Sequence, residues 1–319
     1  MKPSDNGISR REFLRRALLG GGALLTLPGL SRSGWAAGPG SAAKAAGSSG
    51  PQVDVWVFHG THRRKLMARA LATIDANGGF GRNVRKMAVK VNAGWARTPE
   101  TGANTNPELL DAFLAGARAA GVRELVLPEN PCARAEEAFT RSGLLAAARK
   151  NHADLYSLPA AKKAYTEQSL PQAKQLQHAM VAKDFLEADA VVNIPVAKHH
   201  GGATLSMAMK NWMGAVKDRG FWHRNDLHQC IADFSGFLKP TWTLVDATRC
   251  MMDSGPQGPA DEVRTPNLLI LSRDQVAADA YAATLFHDSP LKVGYLKLAG
   301  EQGLGVVDLA RMKIHAVEA

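Results

Sequence analysis

The chain has 319 residues, 45% of them hydrophobic and 21% charged, ordinary globular usage that excludes a disordered or low-complexity protein over most of its length. Thirty-nine Lys and Arg stand against 29 Asp and Glu, a net charge of +10; the basic residues are scattered, with no run of five, which argues against a nucleic-acid partner. Three cysteines, Cys132, Cys230 and Cys250, are too few for a disulfide-stapled scaffold, and without a Cys-x-x-Cys pair this chain alone holds no iron–sulfur cluster.

The first specific motif is Ser9-Arg10-Arg11-Glu12-Phe13-Leu14, the pattern of a twin-arginine (Tat) secretion signal. The apolar stretch 17–30 behind it is softened by Gly20, Gly21 and Gly22 and broken by Pro28, too short for the roughly 20 residues of a membrane span. Gly34-Trp35-Ala36 offers small residues for cleavage after Ala36. The expectation is a signal peptide over 1–36, a flexible linker over 37–50 and an α/β domain over 51–319. The protein would be exported folded through the twin-arginine translocase, would reside in the periplasm or be secreted, and would have no stable membrane span after cleavage. An uncleaved amphipathic anchor is the alternative.

From Val53 onward short apolar, β-branched runs alternate with longer helical patterns. Strands are expected over 53–58, 87–91, 124–127, 154–156, 190–194, 243–245, 268–271 and 312–317. Helices are expected over 62–76, 107–120, 134–151, 180–187, 205–216, 227–237 and 275–285, with a polar excursion over 160–174. This alternation predicts a three-layer α/β fold, a mainly parallel sheet with helices on both faces, with two lobes around a cleft as one arrangement. Ala190-Val191-Val192-Asn193-Ile194 is nearly continuous in apolar residues, as a strand buried on both faces requires.

Ligands of such folds sit outside the carboxyl ends of the strands. Here those ends carry His59-Gly60-Thr61-His62, Lys90-Val91-Asn92, Pro128-Glu129-Asn130, Lys198-His199-His200-Gly201-Gly202 and Asp246-Ala247-Thr248. Together they predict a cleft rich in Lys, His and carboxylate.

At these residues the chain resembles the large prokaryotic family catalogued as domain of unknown function 362 (DUF362), over about 53–309. The family's Lys-Pro-Asn appears as Lys90-Val91-Asn92, its Thr-His-Pro-Glu as Thr105-Asn106-Pro107-Glu108, and its Pro-Lys-Leu-Lys-Thr-His as Pro195-Val196-Ala197-Lys198-His199-His200. Its Lys-Asn-x-x-Gly is Lys210-Asn211-Trp212-Met213-Gly214, its later histidine His228, its Asp-Gly and Gly-Pro are Asp246-Ala247 and Gly255-Pro256, and its Asp-rich helix runs from Asp274 to Asp279. Asn106, Val196 and Ala247 depart from a histidine, a lysine and a glycine, so a ligand role for that first histidine is altered here. The resemblance implies a shared fold and cleft but no reaction. Some relatives carry attached ferredoxin-like clusters, which implies a separate redox partner as one option.

The residues allow several chemistries. Lys90, Lys198 and Lys210 would gather ammonium groups around a small anion, depressing one another's pKa so that one could act as a base; the plain alternative is three solvated surface lysines. Asn92 and Asn211 would hydrogen-bond the same substrate, and Gly201-Gly202, read as leading into a helix, would offer backbone N–H groups. Lys198, His200, Glu129 and Asp246 are the candidate catalytic groups, with structural ion pairing the alternative for the two acids. His59, His62 and His200 are candidate ligands for a divalent metal of mixed N/O coordination. The leading expectation is an exported enzyme for a small anionic substrate, metal-assisted in one version. The alternative is a non-catalytic periplasmic binding or redox-accessory protein working with a metal or an iron–sulfur partner.

Overall fold

The computed structural model describes residues 52–161 and 164–319; the expected signal peptide and linker lie outside the described residues. In chain order the first half contains β1 (Val53–His59), α1 (Arg63–Ala76), β2 (Lys86–Val91), α2 (Pro107–Ala119), β3 (Glu124–Glu129), α3 (Ala135–Arg141), α4 (Leu144–Lys150) and β4 (Asp154–Ser157). There follow β5 (Tyr165–Ser169), β6 (His178–Ala182), α5 (Asp184–Glu187), β7 (Ala190–Ile194), β8 (Lys198–His200), β9 (Thr204–Ser206) and α6 (Ala208–Asn211). The remainder is α7 (Arg219–Arg224), α8 (Leu227–Phe237), β10 (Trp242–Ala247), β11 (Cys250–Met251), β12 (Val263–Arg264), β13 (Leu268–Ser272), α9 (Gln275–Ala283), α10 (Gly294–Glu301) and β14 (Met312–Glu318).

The eight expected strands are the eight members of one sheet, ordered β14-β1-β13-β10-β7-β2-β3-β4. Neighbours run parallel except at β13, which is antiparallel to both β1 and β10. One apolar layer covers each face. Met87, Val89 and Val91 of β2 join the α1–α2 side, while Ala88 joins the side of α6, α8, α9 and α10, the period-two alternation of a doubly covered strand. The sheet is continuous through the described residues, so the two-lobed arrangement has no counterpart there, and the cleft lies on the rim of a single sheet.

Several expected helices are shorter or differently made. The 134–151 stretch breaks at Gly143, where the backbone takes φ +76° and a Cβ would press on the Pro107 ring at 3.2 Å. The 180–187 stretch is the end of β6 plus one turn of helix. The 205–216 stretch splits into β9, the four-residue α6 and a 3-10 turn, Trp212–Ala215. Its start is fixed by Asp279 of α9, whose two carboxylate oxygens accept the Ala208 and Met209 amides at 2.7 and 2.8 Å. Asp279 is wholly enclosed, and burial pushes its pKa up to about 7 against those two hydrogen bonds.

Candidate functional site

At the carboxyl ends of β7, β2 and β3 lies a cavity of about 340 Å³. Lys90 and Asn92 reach it from β2, Glu129 and Cys132 from the end of β3, Lys198 and His200 from β8, Lys210 and Asn211 from α6, and Arg219 from α7. The structure thus brings together seven residues expected from the sequence: Lys90, Asn92, Glu129, Lys198, His200, Lys210 and Asn211. A larger hollow, about 1060 Å³, opens at the opposite edge between α1 and α2 around Gly79, Phe80, Arg85 and Arg123, but no buried, convergent polar groups face it.

The floor is a network of amides and one ion pair. Lys90, 1% exposed, donates to Glu129 Oε2 at 2.8 Å and to Asn211 Oδ1 at 3.3 Å. Burial draws the Lys90 pKa down and Glu129 works against it. Glu129 also accepts the Ala93 and Asn130 amides at 3.2 and 3.0 Å. With its oxygens so engaged, it neutralises Lys90 rather than waiting as a free base. Asn92 Nδ2 donates to Asn211 Oδ1, and Asn211 Nδ2 donates to Asn193 Oδ1 and to the Lys90 carbonyl. The Gly214 backbone closes over this pair, and a Cβ there would fall 1.9 Å from Glu129 Oε1 and 2.7 Å from Lys90 Nζ. That contact is the physical reason for a glycine at the end of Lys210-Asn211-Trp212-Met213-Gly214.

The walls carry positive charge that the protein does not pair. Lys198, 1% exposed, donates to Asn92 Oδ1 at 2.9 Å and to the Ala103 carbonyl. Burial and then Lys210 bring its pKa down to about 7. Lys210, 8% exposed, has no hydrogen bond or ion pair among the described residues. Burial lowers it to about 8. Arg219 donates to the Asn130 and Pro131 carbonyls, which spends part of its five-donor fork. Glu129 is the one acid lining the cavity, against three lysines and this arginine. His200 Nδ1 accepts the Gly202 and Ala203 amides, both at 3.2 Å, so the neutral ring carries its proton on Nε2. Burial, followed by Lys210 and Lys198, holds its pKa down to about 3, so it is a neutral donor at ordinary pH.

Other expected site residues lie elsewhere. Asp246, 2% exposed, is held by the Asn106 amide and by the Thr248 amide and hydroxyl at 2.7–2.9 Å; it ties β10 to the start of α2 and does not line the cavity. Gly201 and Gly202 do not lead into a helix. They form the turn of the β8–β9 hairpin, and their amides are engaged by the Gly255 carbonyl and by His200 Nδ1, so they make no anion cradle. His59 ends β1, three strands from β7, and its Nδ1 lies 3.1 Å from Glu318 Oε2; His62 is exposed at the N-cap of α1. With strands about 4.8 Å apart, neither reaches His200, and no group of three His, Cys, Asp or Glu suited to a metal occurs among the described residues. The proposed His59–His62–His200 metal set is therefore not assembled.

The motif residues outside the cavity have structural roles. Thr105 Oγ1 bridges the Asn92 amide and the Ile194 carbonyl, tying the ends of β2 and β7 together. Asn106, in place of the family histidine, caps α2 by accepting the Glu108 amide. His228 Nδ1 accepts the Tyr295 amide. Cys132, Arg219, His223 and Pro256 also line the cavity, and sequence reasoning missed them. Two of them had a usable signal: Cys132, three residues past Glu129 at the end of β3, and Pro256, in the family's Gly-Pro.

A curated relative, a thylakoid-associated protein of Synechocystis sp., is 25% identical over 137 residues, covering 40% of this chain and 41% of the relative. Among solved structures, a protein from Thermotoga maritima superposes with a TM-score of 0.45 at 11% identity, covering 76% of this chain and 60% of that one. The lactate racemase apoprotein of Thermoanaerobacterium thermosaccharolyticum superposes with a TM-score of 0.42 at 13% identity, covering 70% and 55%. The chain thus spans about two-fifths of the curated relative and less than two-thirds of both structures. The model of the family described as Domain of unknown function (DUF362) matches residues 87–284, every cavity residue among them, and the chain belongs to that family.

Proposed function

We propose that the rim cavity binds a small molecule bearing carboxylate or phosphate oxygens and moves a proton on it. The carrying observation is Lys210, a lysine nine-tenths buried as a residue, lining the cavity and lacking any partner among the described residues. An isolated buried charge is expensive, and an anionic ligand offsets that cost. Lys198 spends two of its three N–H bonds on Asn92 and Ala103, which leaves one for a ligand, and Arg219 and the His200 Nε2–H add donors. With a pKa near neutrality, Lys198 is the group suited to take up and return a proton. Asn92 and Asn211 position the lysines. Glu129 supports the reading by cancelling Lys90 alone. The same reading places the protein outside the cytoplasm, on the strength of Ser9-Arg10-Arg11-Glu12-Phe13-Leu14.

Calorimetric titration with sulfate and with oxalate tests this. The expected result is saturable binding by the wild-type protein, weakened at least about tenfold in Lys210→Met, which deletes a charge-assisted contact worth roughly 1.5–3 kcal/mol. Equal affinity in the variant, or no binding of either anion by the wild type, overturns the proposal.

A further inference from the structure

Lys210 differs from the other lysines of the cavity in what surrounds its nitrogen. Lys90 is neutralised by Glu129, and Lys198 has two oxygen acceptors. The Lys210 nitrogen has no acceptor among the described residues, is enclosed except towards the cavity, and has Lys198 and Arg219 as cationic neighbours. Burial and then Arg219 disfavour its ammonium form, with Cys132 alone working the other way, and low polarity with like charge nearby is the setting that turns a lysine into an amine nucleophile. Lys198 shares the charge environment, but its nitrogen is tied to Asn92 Oδ1 and the Ala103 carbonyl, so Lys210 is the amine left free to condense.

We propose that Lys210 forms an imine with the carbonyl carbon of a 2-oxo acid bound in this cavity. The inference rests on the reading that the cavity takes an anion and names its class. The acid's carboxylate lies against the free N–H of Lys198 and the Arg219 guanidinium, which sets its carbonyl beside Lys210. The amine nitrogen adds to the carbonyl carbon and the π pair moves to oxygen. The two amine hydrogens leave with that oxygen as water, and a C=N bond remains. Lys198 relays protons to the departing oxygen, the His200 Nε2–H only hydrogen-bonds it, and no oxidant or reductant is consumed. The carboxylate beside the imine then sits among cations, where electron density from the neighbouring carbon is stabilised.

The test is reductive trapping. Wild-type protein is incubated with glyoxylate or pyruvate, reduced with sodium borohydride, and its tryptic peptides are mapped by mass spectrometry. The expected result is a secondary-amine adduct on Lys210 at close to one per chain, suppressed by sulfate and absent from Lys210→Arg, which keeps the charge but has no amine able to condense. Adducts on Lys198, adducts spread over exposed lysines such as Lys150, or no adduct at all overturn the imine. Titration of the same wild-type sample with sulfate and with oxalate separates the two claims. Retained sulfate or oxalate binding without an adduct sinks the imine alone, and absence of both sulfate and oxalate binding sinks the anion reading with it.

Discussion

Lys198 and Lys210 are interior cations without carboxylate partners, and their depressed pKa values make a statement about stability. Both lie below the ordinary value of 10.5, at about 7 and about 8. Between those values and 10.5 the unfolded chain holds protons that the native state has released, so stability rises with pH across that window and the penalty is fully present below about pH 7. For Lys210 the ceiling is roughly 3 kcal/mol, at about 1.4 kcal/mol per pH unit, and each kcal/mol moves the melting temperature by about 2–4 °C in a domain of this size. A bound anion offsets the penalty only while the lysines are charged. Sulfate, whose own charge is fixed, is therefore expected to raise the melting temperature by several degrees near pH 6 and by much less near pH 9.5. Thermal unfolding followed by circular dichroism at both pH values checks this, and an equal or opposite pH effect contradicts it. At this scale the sequence was only partly legible. Glu129 and Asp246 are both acids at strand ends, yet one faces the cavity and the other turns to the Asn106 amide. A strand-end position fixes the edge of the sheet, not the direction of the side chain.

The element that matters most is the broken segment from β9 through α6 to the 3-10 turn. Leu205, Met209, Trp212, Met213 and Val216 have the spacing of one continuous amphipathic helix, and all five are buried. The spacing was a true sign of burial and of helical turns over 208–215, and a false sign of one continuous α-helix. Asp279 starts α6 at Ala208, and the bond from the Asn130 amide to the Gly214 carbonyl at 2.9 Å draws the far end down onto the Lys90–Glu129 pair. Both partners come from distant segments, which is why no local pattern could show them. Gly214→Ala places a methyl group inside the pair, and breaking a buried pair costs roughly 3–5 kcal/mol. The expected outcome is a lower urea midpoint with an unchanged m-value; an unchanged midpoint would show that the turn can lift without loss.

On the scale of the molecule the sheet was legible strand by strand, because each strand is a short apolar run bounded by turns. Its order was not, since long-range pairing leaves no local trace. β1 and β14 pair side by side, Val53 opposite Met312 and His59 opposite Glu318, although they lie at opposite ends of the described chain. Such a sheet cannot close until Met312–Glu318 has joined Val53–His59, and non-local closure of this kind is slow. The proposed twin-arginine export, drawn from Ser9-Arg10-Arg11-Glu12-Phe13-Leu14, has its own test. Replacing Arg10 and Arg11 together with lysine is expected to leave the protein in the cytoplasm at its uncleaved size, as read by fractionation and immunoblotting; undiminished export of that variant would contradict the twin-arginine reading.

The reversed strand β13 gives the molecule a further property. Because β13 runs against its neighbours, the chain leaving β10 has no need to travel to the other side of the sheet before re-entering. It stays on the functional rim for some twenty residues, 248–267, long enough to set Pro256 in the cavity wall and to give the His199 ring a bond from the Gly255 amide. A crossover helix in that place would be anchored along its whole length by the core. Cys250 and Met251 at its start are buried, and the remainder, mostly exposed or half-buried, is held by the β11–β12 pair and by contacts with the β8–β9 hairpin and Arg97. Insertions, deletions or exchanged side chains there would reshape the mouth of the cavity while leaving the lysines beneath in place, which makes this span the natural locus for tuning which guest is admitted.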